Sequence, residues 1–132
     1  TSESALPDGD RIDVRIPADG SYVATLRICA ASLAARCDLT VDDIEDLRLA
    51  VDEACSLLLP QVTPGGNLDA VFTLARGELR VETSVLADED KGVDRSGFAW
   101  TVLGALASSV HVASADGRLT ISLTKRREAA LS

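Results

Sequence analysis

Residue types on which many enzymes depend are scarce in this chain of 132 residues. It has one histidine, His111, so a multi-histidine metal site is not expected, and a Ser-His-Asp triad would have to use that residue. The three cysteines are odd in number and contain no C-x-x-C pair, which indicates reduced thiols rather than a disulfide framework. The residues therefore predict no metal site and exclude several common kinds of catalytic centre.

Long apolar runs and a basic excess are also missing. No run approaches the roughly 20 residues of a membrane span, and the polar segment Thr1–Asp10 shows no signal peptide. We therefore expect a cytoplasmic protein that does not bind membranes. Acidic residues outnumber basic ones by 21 to 13, giving a net charge of -8. This charge argues against direct nucleic-acid binding and is compatible with a basic protein partner or with solubility alone.

The chain has the length and the 46% apolar content of one ordinary domain, which we predict over residues 1–132 with a core at about 10–125. Apolar periodicity and turn residues predict the order β-α-α-β-β-α-β-β. Strands beside grouped helices indicate an α/β (α+β) two-layer sandwich with a mostly antiparallel sheet, and the tail after Thr124 is expected to fray. The predicted elements are Arg11–Ile16, Ser21–Arg36, Val41–Leu59, Leu68–Ala75, Leu79–Val85, Ser96–Ala107, Val110–Ala113 and Leu119–Leu123.

Two segments go beyond a generic sandwich. One is Leu47–Ala54, reading LRLAVDEA, and the other is Arg95–Leu103, reading RSGFAWTVL, followed by Ser109–Val112 and Leu123–Lys125. Together they resemble the anti-sigma factors of the general-stress and sporulation type, which are small serine protein kinases. The resemblance covers about 10–125 and implies the histidine-kinase-like ATPase (Bergerat) fold, a mixed, mostly antiparallel sheet covered on one face by three helices.

The resemblance also implies a nucleotide site on the second predicted helix. In the family motif a glutamate, acting as general base or orienting the attacking hydroxyl, is followed four residues later by an asparagine that holds Mg²⁺. Residues four apart share one helix face, so both can reach one pocket. Glu53 stands at the first position and Leu57 at the second, and leucine has no lone pair for a metal. Glu53 is equally compatible with a solvated helix residue.

Two further family elements have weak counterparts here. An Asp-x-Gly-x-Gly motif would follow the third strand, where this chain has Thr83 and Ser84. A glycine-rich helix start would receive phosphates on its backbone N–H groups. Here it reads Ser96 and Gly97, with Ala99 in place of the second glycine. ATP and Mg²⁺ are cofactors by resemblance only, and we expect weak or absent kinase activity.

Arg27 matches a family arginine on the first helix that contacts both the sigma factor and its competitor, although it could also be an ordinary surface residue. The resemblance thus implies an anti-sigma factor that sequesters an alternative sigma factor and is released by an anti-anti-sigma protein, a STAS-type antagonist. Family members are commonly homodimers, so a dimer is expected. Two alternatives stay open: an active serine kinase that phosphorylates the antagonist, and an ATPase-like regulatory module in another switch.

Overall fold

A computed structural model describes residues 9–87 and 97–128. The predicted order of elements is confirmed within these ranges. No helix in the described residues is long and apolar enough to cross a membrane. The elements are β1 (Asp10–Pro17), α1 (Val23–Arg36), α2 (Val41–Leu58), β2 (Asn67–Ala75), β3 (Glu78–Leu86), α3 (Phe98–Leu106), β4 (Ser109–Ala115) and β5 (Arg118–Arg126).

The five strands form one sheet in the order β1-β2-β3-β5-β4. All four pairings are antiparallel, so the expected mixed character of the sheet is wrong for the described strands. The β4–β5 connection turns at Asp116 and Gly117, both of which have a left-handed φ, of 55° and 77°. This backbone matches the twist of the flanking strands and explains why an Asp-Gly pair stands there.

Strand residues alternate between a buried face and an outer face. Along β2, Leu68, Ala70, Phe72 and Leu74 are buried against the helices, while the residues between them are only partly covered. The alternation of apolar and polar residues along the strands therefore indicates that one face of the sheet is covered, as expected for an antiparallel sheet with helices on one side. Among the described elements, all three helices contribute to the single core on that face.

The N-terminal cap predicted from sequence is confirmed at α2 and is wrong at α1. Thr40 and Asp43 form a reciprocal capping box at the start of α2, as the spacing predicts. Ser21 is not the cap of the first helix. A short 3-10 turn at Gly20–Tyr22 precedes α1, and the Asp19 side chain caps it by accepting from the Ser21 backbone N–H at 2.9 Å. Aspartate accepts such bonds as well as serine does, so residue type alone does not show whether position 19 or position 21 is the cap.

The predicted fraying after Thr124 is wrong for Lys125 and Arg126, because β5 continues to Arg126 and Lys125 is buried, and residues 129–132 lie outside the described residues. The Lys125 ammonium donates to the backbone carbonyl of Leu106, the last residue of α3, at 2.7 Å, and to Asp46 Oδ2 at 3.2 Å. The lysine therefore joins β5 to two helices and caps the end of one of them. From the sequence alone, a lysine in this segment is expected to be exposed to solvent. Its two partners lie 79 and 19 residues away in the chain, so local sequence does not reveal them.

Asp43 makes the stability of the fold pH-dependent. Burial raises the pKa of its carboxyl, but hydrogen bonds with Thr40 and the Glu128 backbone, and the Lys125 charge, bring that pKa below its ordinary value. The folded state therefore binds this proton less tightly than the unfolded chain. The resulting stability is present above the unfolded pKa of about 3.9 and is lost as the pH falls through the folded-state pKa.

We expect Asp43→Asn to lower the free energy of unfolding by about 1 kcal/mol at pH 7, the usual effect of weakening a cap. The difference from the wild type should shrink as the pH falls below about 3.9 and through the lowered folded-state pKa, below which both proteins carry a neutral side chain. Urea unfolding at several pH values measures it. Asp42→Asn, in the same turn but exposed, is the control. A difference that stays constant with pH would contradict the assignment.

Candidate functional site

Helix α2 presents two flanks with different neighbours. Asp46 contacts Lys125, which also binds the end of α3, so this flank faces α3. Glu53 lies seven residues after Asp46, two helical turns on, and Leu57 follows four residues later on the same flank. Asp52 lies about 100° around the helix from Glu53 and pairs with Arg27 of α1. Glu53, the predicted catalytic residue, and Asp52, the neighbour of the predicted partner-binding residue Arg27, therefore lie on the two flanks of α2.

Glu53 is half-buried, and within residues 9–87 and 97–128 no hydrogen bond or ion pair involves its carboxylate. Its backbone carbonyl accepts from Ser56 Oγ at 2.8 Å. A carboxylate without an internal partner can bind a hydroxyl or a cation. The placement is compatible with the predicted role and equally with a solvated helix residue.

Leu57 is half-buried and packs against the hydrophobic core. Its hydrocarbon side chain gives this flank an apolar surface one turn beyond Glu53. Nothing at this position can replace the carbonyl oxygen of an asparagine as a ligand for a hard cation. Among the described residues, no group of three or more His, Cys, Asp or Glu side chains is arranged to hold a metal ion.

Thr83 and Ser84 lie on opposite faces of the sheet. Thr83 faces the helices, is fully buried, and donates from Oγ1 to the Ile121 carbonyl at 3.2 Å. Ser84 faces outward, where its Oγ accepts from Arg118 Nη1 at 2.9 Å. Only the Thr83 side chain lies on the helix-covered face, and its hydroxyl proton is already used within the sheet. The structure therefore does not bring the two side chains together.

The Arg118 side chain is part of an ion-pair cluster on the outer face of the sheet. Asp69 accepts from Arg15 Nε at 2.7 Å and from Arg118 Nη1 at 3.1 Å. The hydrogen bond from Arg15 is the main reason that the pKa of Asp69 is lowered, with Arg118 adding to the effect. The sequence did not single out this cluster, because its members come from three strands that only the sheet brings together.

The beginning of α3 is where the resemblance predicts a phosphate-binding backbone. Gly97 is the N-cap of α3, and no side chain of the described residues caps it, so backbone N–H groups of the first turn face outward from the helix end. Ala99 is half-buried, and Trp100 packs against the core, where a glycine-rich turn would leave space. Ser96, the remaining predicted nucleotide contact, lies outside the described residues.

Arg27 lies on the side of α1 that packs against α2. Its Nε is 3.7 Å from Asp52 Oδ1, and the two side chains are 38% and 48% exposed. The side chain is therefore accessible to a partner while it stays next to an internal acid. The sequence suggested Arg27 but not Asp52. The spacing of apolar residues along α2 puts Asp52 beside the buried face of the helix, whereas which helix packs against that flank depends on the tertiary structure.

No protein-family model matches the chain. A relative from Mycobacterium tuberculosis strain H37Rv, the anti-sigma-F factor RsbW, is 34% identical over 142 aligned residues, which cover 97% of this chain and 84% of the relative. The serine-protein kinase RsbW of Bacillus thuringiensis strain Al Hakam is also 34% identical, over 74 residues that cover 54% of this chain and 46% of the relative. A crystal structure of the RsbU and RsbW domains of Rv1364c from M. tuberculosis superposes with a TM-score of 0.69. That match covers 88% of this chain and 31% of the other at 20% identity, and it supports the fold.

Proposed function

The chain belongs to the RsbW family of anti-sigma factors and serine-protein kinases, and from that premise we propose that it sequesters an alternative sigma factor. An anti-anti-sigma protein of the STAS type would compete for it and release the sigma factor, so that transcription responds to the antagonist. The observation that carries this proposal is the match over 97% of the chain to a relative named an anti-sigma-F factor. We place this partner switching in the cytoplasm.

Arg27 supports a partner-binding role through its position and chemistry. Its planar guanidinium is accessible on α1 and can clamp a carboxylate with two hydrogen bonds. The net charge of -8 also favours association with a protein that has basic surfaces, as a DNA-binding sigma factor does. We further propose a homodimer, on the basis of the family resemblance described above.

The residues present do not fit Mg²⁺-ATP in the way of the active kinases. On the flank of α2 that faces α3, Asp46 is bound to Lys125, so the carboxylate near Leu57 that has no internal partner among the described residues is Glu53. Leu57 supplies a hydrocarbon surface where a magnesium ligand is needed. We therefore propose that sigma binding has been retained while nucleotide turnover is weak or absent, because a fold can be kept after one of its sites is lost.

A second candidate is an active serine kinase that phosphorylates the antagonist. Glu53 and Gly97 favour it, because they keep a general-base position and an open helix start in place. Relatives named serine-protein kinases match the chain over about half of its length, and it spans less than half of theirs. Leu57 and Ala99 disfavour the kinase, so we rank it second.

Two measurements separate the candidates. Purified protein is mixed with each sigma factor of the source bacterium on a sizing column, and we expect one of them to form a stable complex. Failure to bind any sigma factor would overturn the proposal. Calorimetry with Mg²⁺-ATP should show no binding at low micromolar nucleotide, whereas low micromolar affinity would favour the kinase.

A further inference from the structure

The contact between Arg27 and Asp52 is an incomplete ion pair. The 3.7 Å between Arg27 Nε and Asp52 Oδ1 exceeds the length of an N–H···O hydrogen bond. The Nε atom is itself buried and has no hydrogen-bond acceptor among the described residues. A buried donor without an acceptor is unfavourable, so Asp52 holds the guanidinium by charge attraction alone, while the 38% of the side chain that is exposed stays accessible to a partner.

The neighbours of the pair leave it open on one side. Beneath it, on α2, lies the buried thiol of Cys55, whose pKa is raised to about 12 by burial and by Asp52, with Arg27 acting in the opposite direction. That thiol stays neutral and does not compete as an anion. Beside Arg27 on α1, Ile28 is 66% exposed. Arg27 and Asp52 therefore share one surface at the seam between α1 and α2, whereas Ile28 lies about 100° further around α1, on its exposed side.

A pair that is about half exposed holds its arginine weakly. Exposed ion pairs contribute little because water and salt screen them and because both side chains lose freedom. A carboxylate from a partner protein would approach the exposed side of the guanidinium and lose solvent on docking, which strengthens the new contact. Asp52 and the partner carboxylate then compete for one cation.

We propose that Asp52 is an internal competitor that weakens the complex between Arg27 and an acidic side chain of the partner protein. This inference rests on the proposed function, because it concerns the same partner-binding arginine. The occupant of the surface is an acidic side chain of the sigma factor, which the exposed part of the Arg27 guanidinium would bind. The competition keeps binding reversible, so an antagonist that presents a carboxylate in better geometry can displace the sigma factor.

The test measures affinity for the sigma factor that is retained on the sizing column. Asp52→Asn should tighten the complex about twofold to fivefold, the range expected from the removal of a competing exposed ion pair. Glu45→Gln is the matched control, since it removes one acid from the same helix that is paired with Arg48 at 2.9 Å. It should leave the affinity unchanged.

A double-mutant cycle separates competition from a general change of charge. In an Arg27→Ala background, Asp52→Asn should have no effect, because there is no guanidinium left to compete for. An equal gain in both backgrounds would overturn the inference, as would unchanged affinity of the single variant. Either result leaves the sigma complex, and so the proposed function, intact. Absence of any complex with the wild type would overturn the proposed function itself.

Discussion

Lys125→Ala is expected to lower the free energy of unfolding by about 2–3 kcal/mol, more than a surface substitution in the same strand. The ammonium side chain is 9% exposed and makes two charge-assisted contacts, with Asp46 and with the Leu106 carbonyl. Its removal leaves the end of α3 uncapped and the Asp46 carboxylate without its cation. Asp46 is 43% exposed, so water replaces part of what it loses. The effect therefore falls below the 3–5 kcal/mol typical of fully buried pairs.

Arg126→Ala is the matched control for this loss. Arg126 is the next residue along β5, is exposed, and binds Glu78 at 3.1 Å on the surface. Removal of such a pair changes stability by less than about 1 kcal/mol. Lys125→Met keeps most of the aliphatic stem and should recover the packing part of the loss. Urea unfolding of the three variants measures these differences. Equal effects at positions 125 and 126 would show that the lysine is not a structural anchor.

Arg27→Ala is expected to weaken the sigma complex by about 1–3 kcal/mol, or roughly 5-fold to 150-fold in Kd, if the arginine is a hot spot of the interface. Arginine is enriched at such positions because its fork makes two parallel hydrogen bonds with a carboxylate. The loss should appear mainly in the dissociation rate. Surface plasmon resonance with the sigma factor immobilised measures both the affinity and the rate.

Two variants limit the interpretation of that loss. Arg36→Ala removes an exposed arginine from the last turn of the same helix and should leave binding unchanged. Arg27→Lys keeps the charge but not the planar fork, so it should recover little of the affinity. Full recovery by lysine would indicate long-range attraction rather than a bidentate contact. Wild-type affinity of Arg27→Ala would assign the residue to ordinary surface.

The fold was predictable where the chain encodes it locally. The capping box of Thr40 and Asp43 and the Asp116-Gly117 turn depend on residues within a few positions of one another. Errors arose where two local solutions were similar, as with Asp19 and Ser21, or where a partner was distant. The buried Lys125 illustrates the second kind, since Asp46 lies 79 residues away from it in the chain.

The candidate site also has positions that local sequence predicts and contacts that depend on how the helices pack. The spacing of four between Glu53 and Leu57 puts them on one helix face in any structure that contains α2. The alternation of β3 likewise separates Thr83 from Ser84 and puts Thr83 on the apolar face with Val81 and Val85, and the burial of Thr83 agrees. The proximity of Arg27 and Asp52 could not be read from spacing, because it depends on how α1 packs against α2.

The sequence by itself determined the order of the elements, the covered face of each strand and the identity of the side chain at each motif position, Leu57 included. These properties depend on periodicity and on neighbours in the chain. Only the tertiary structure decided which flank of α2 meets α1 and which meets α3, and therefore that Asp52 lies beside Arg27 while Asp46 binds Lys125. The physical reason is that charge pairing depends on distances of a few ångströms between side chains from different segments, and the packed core sets those distances.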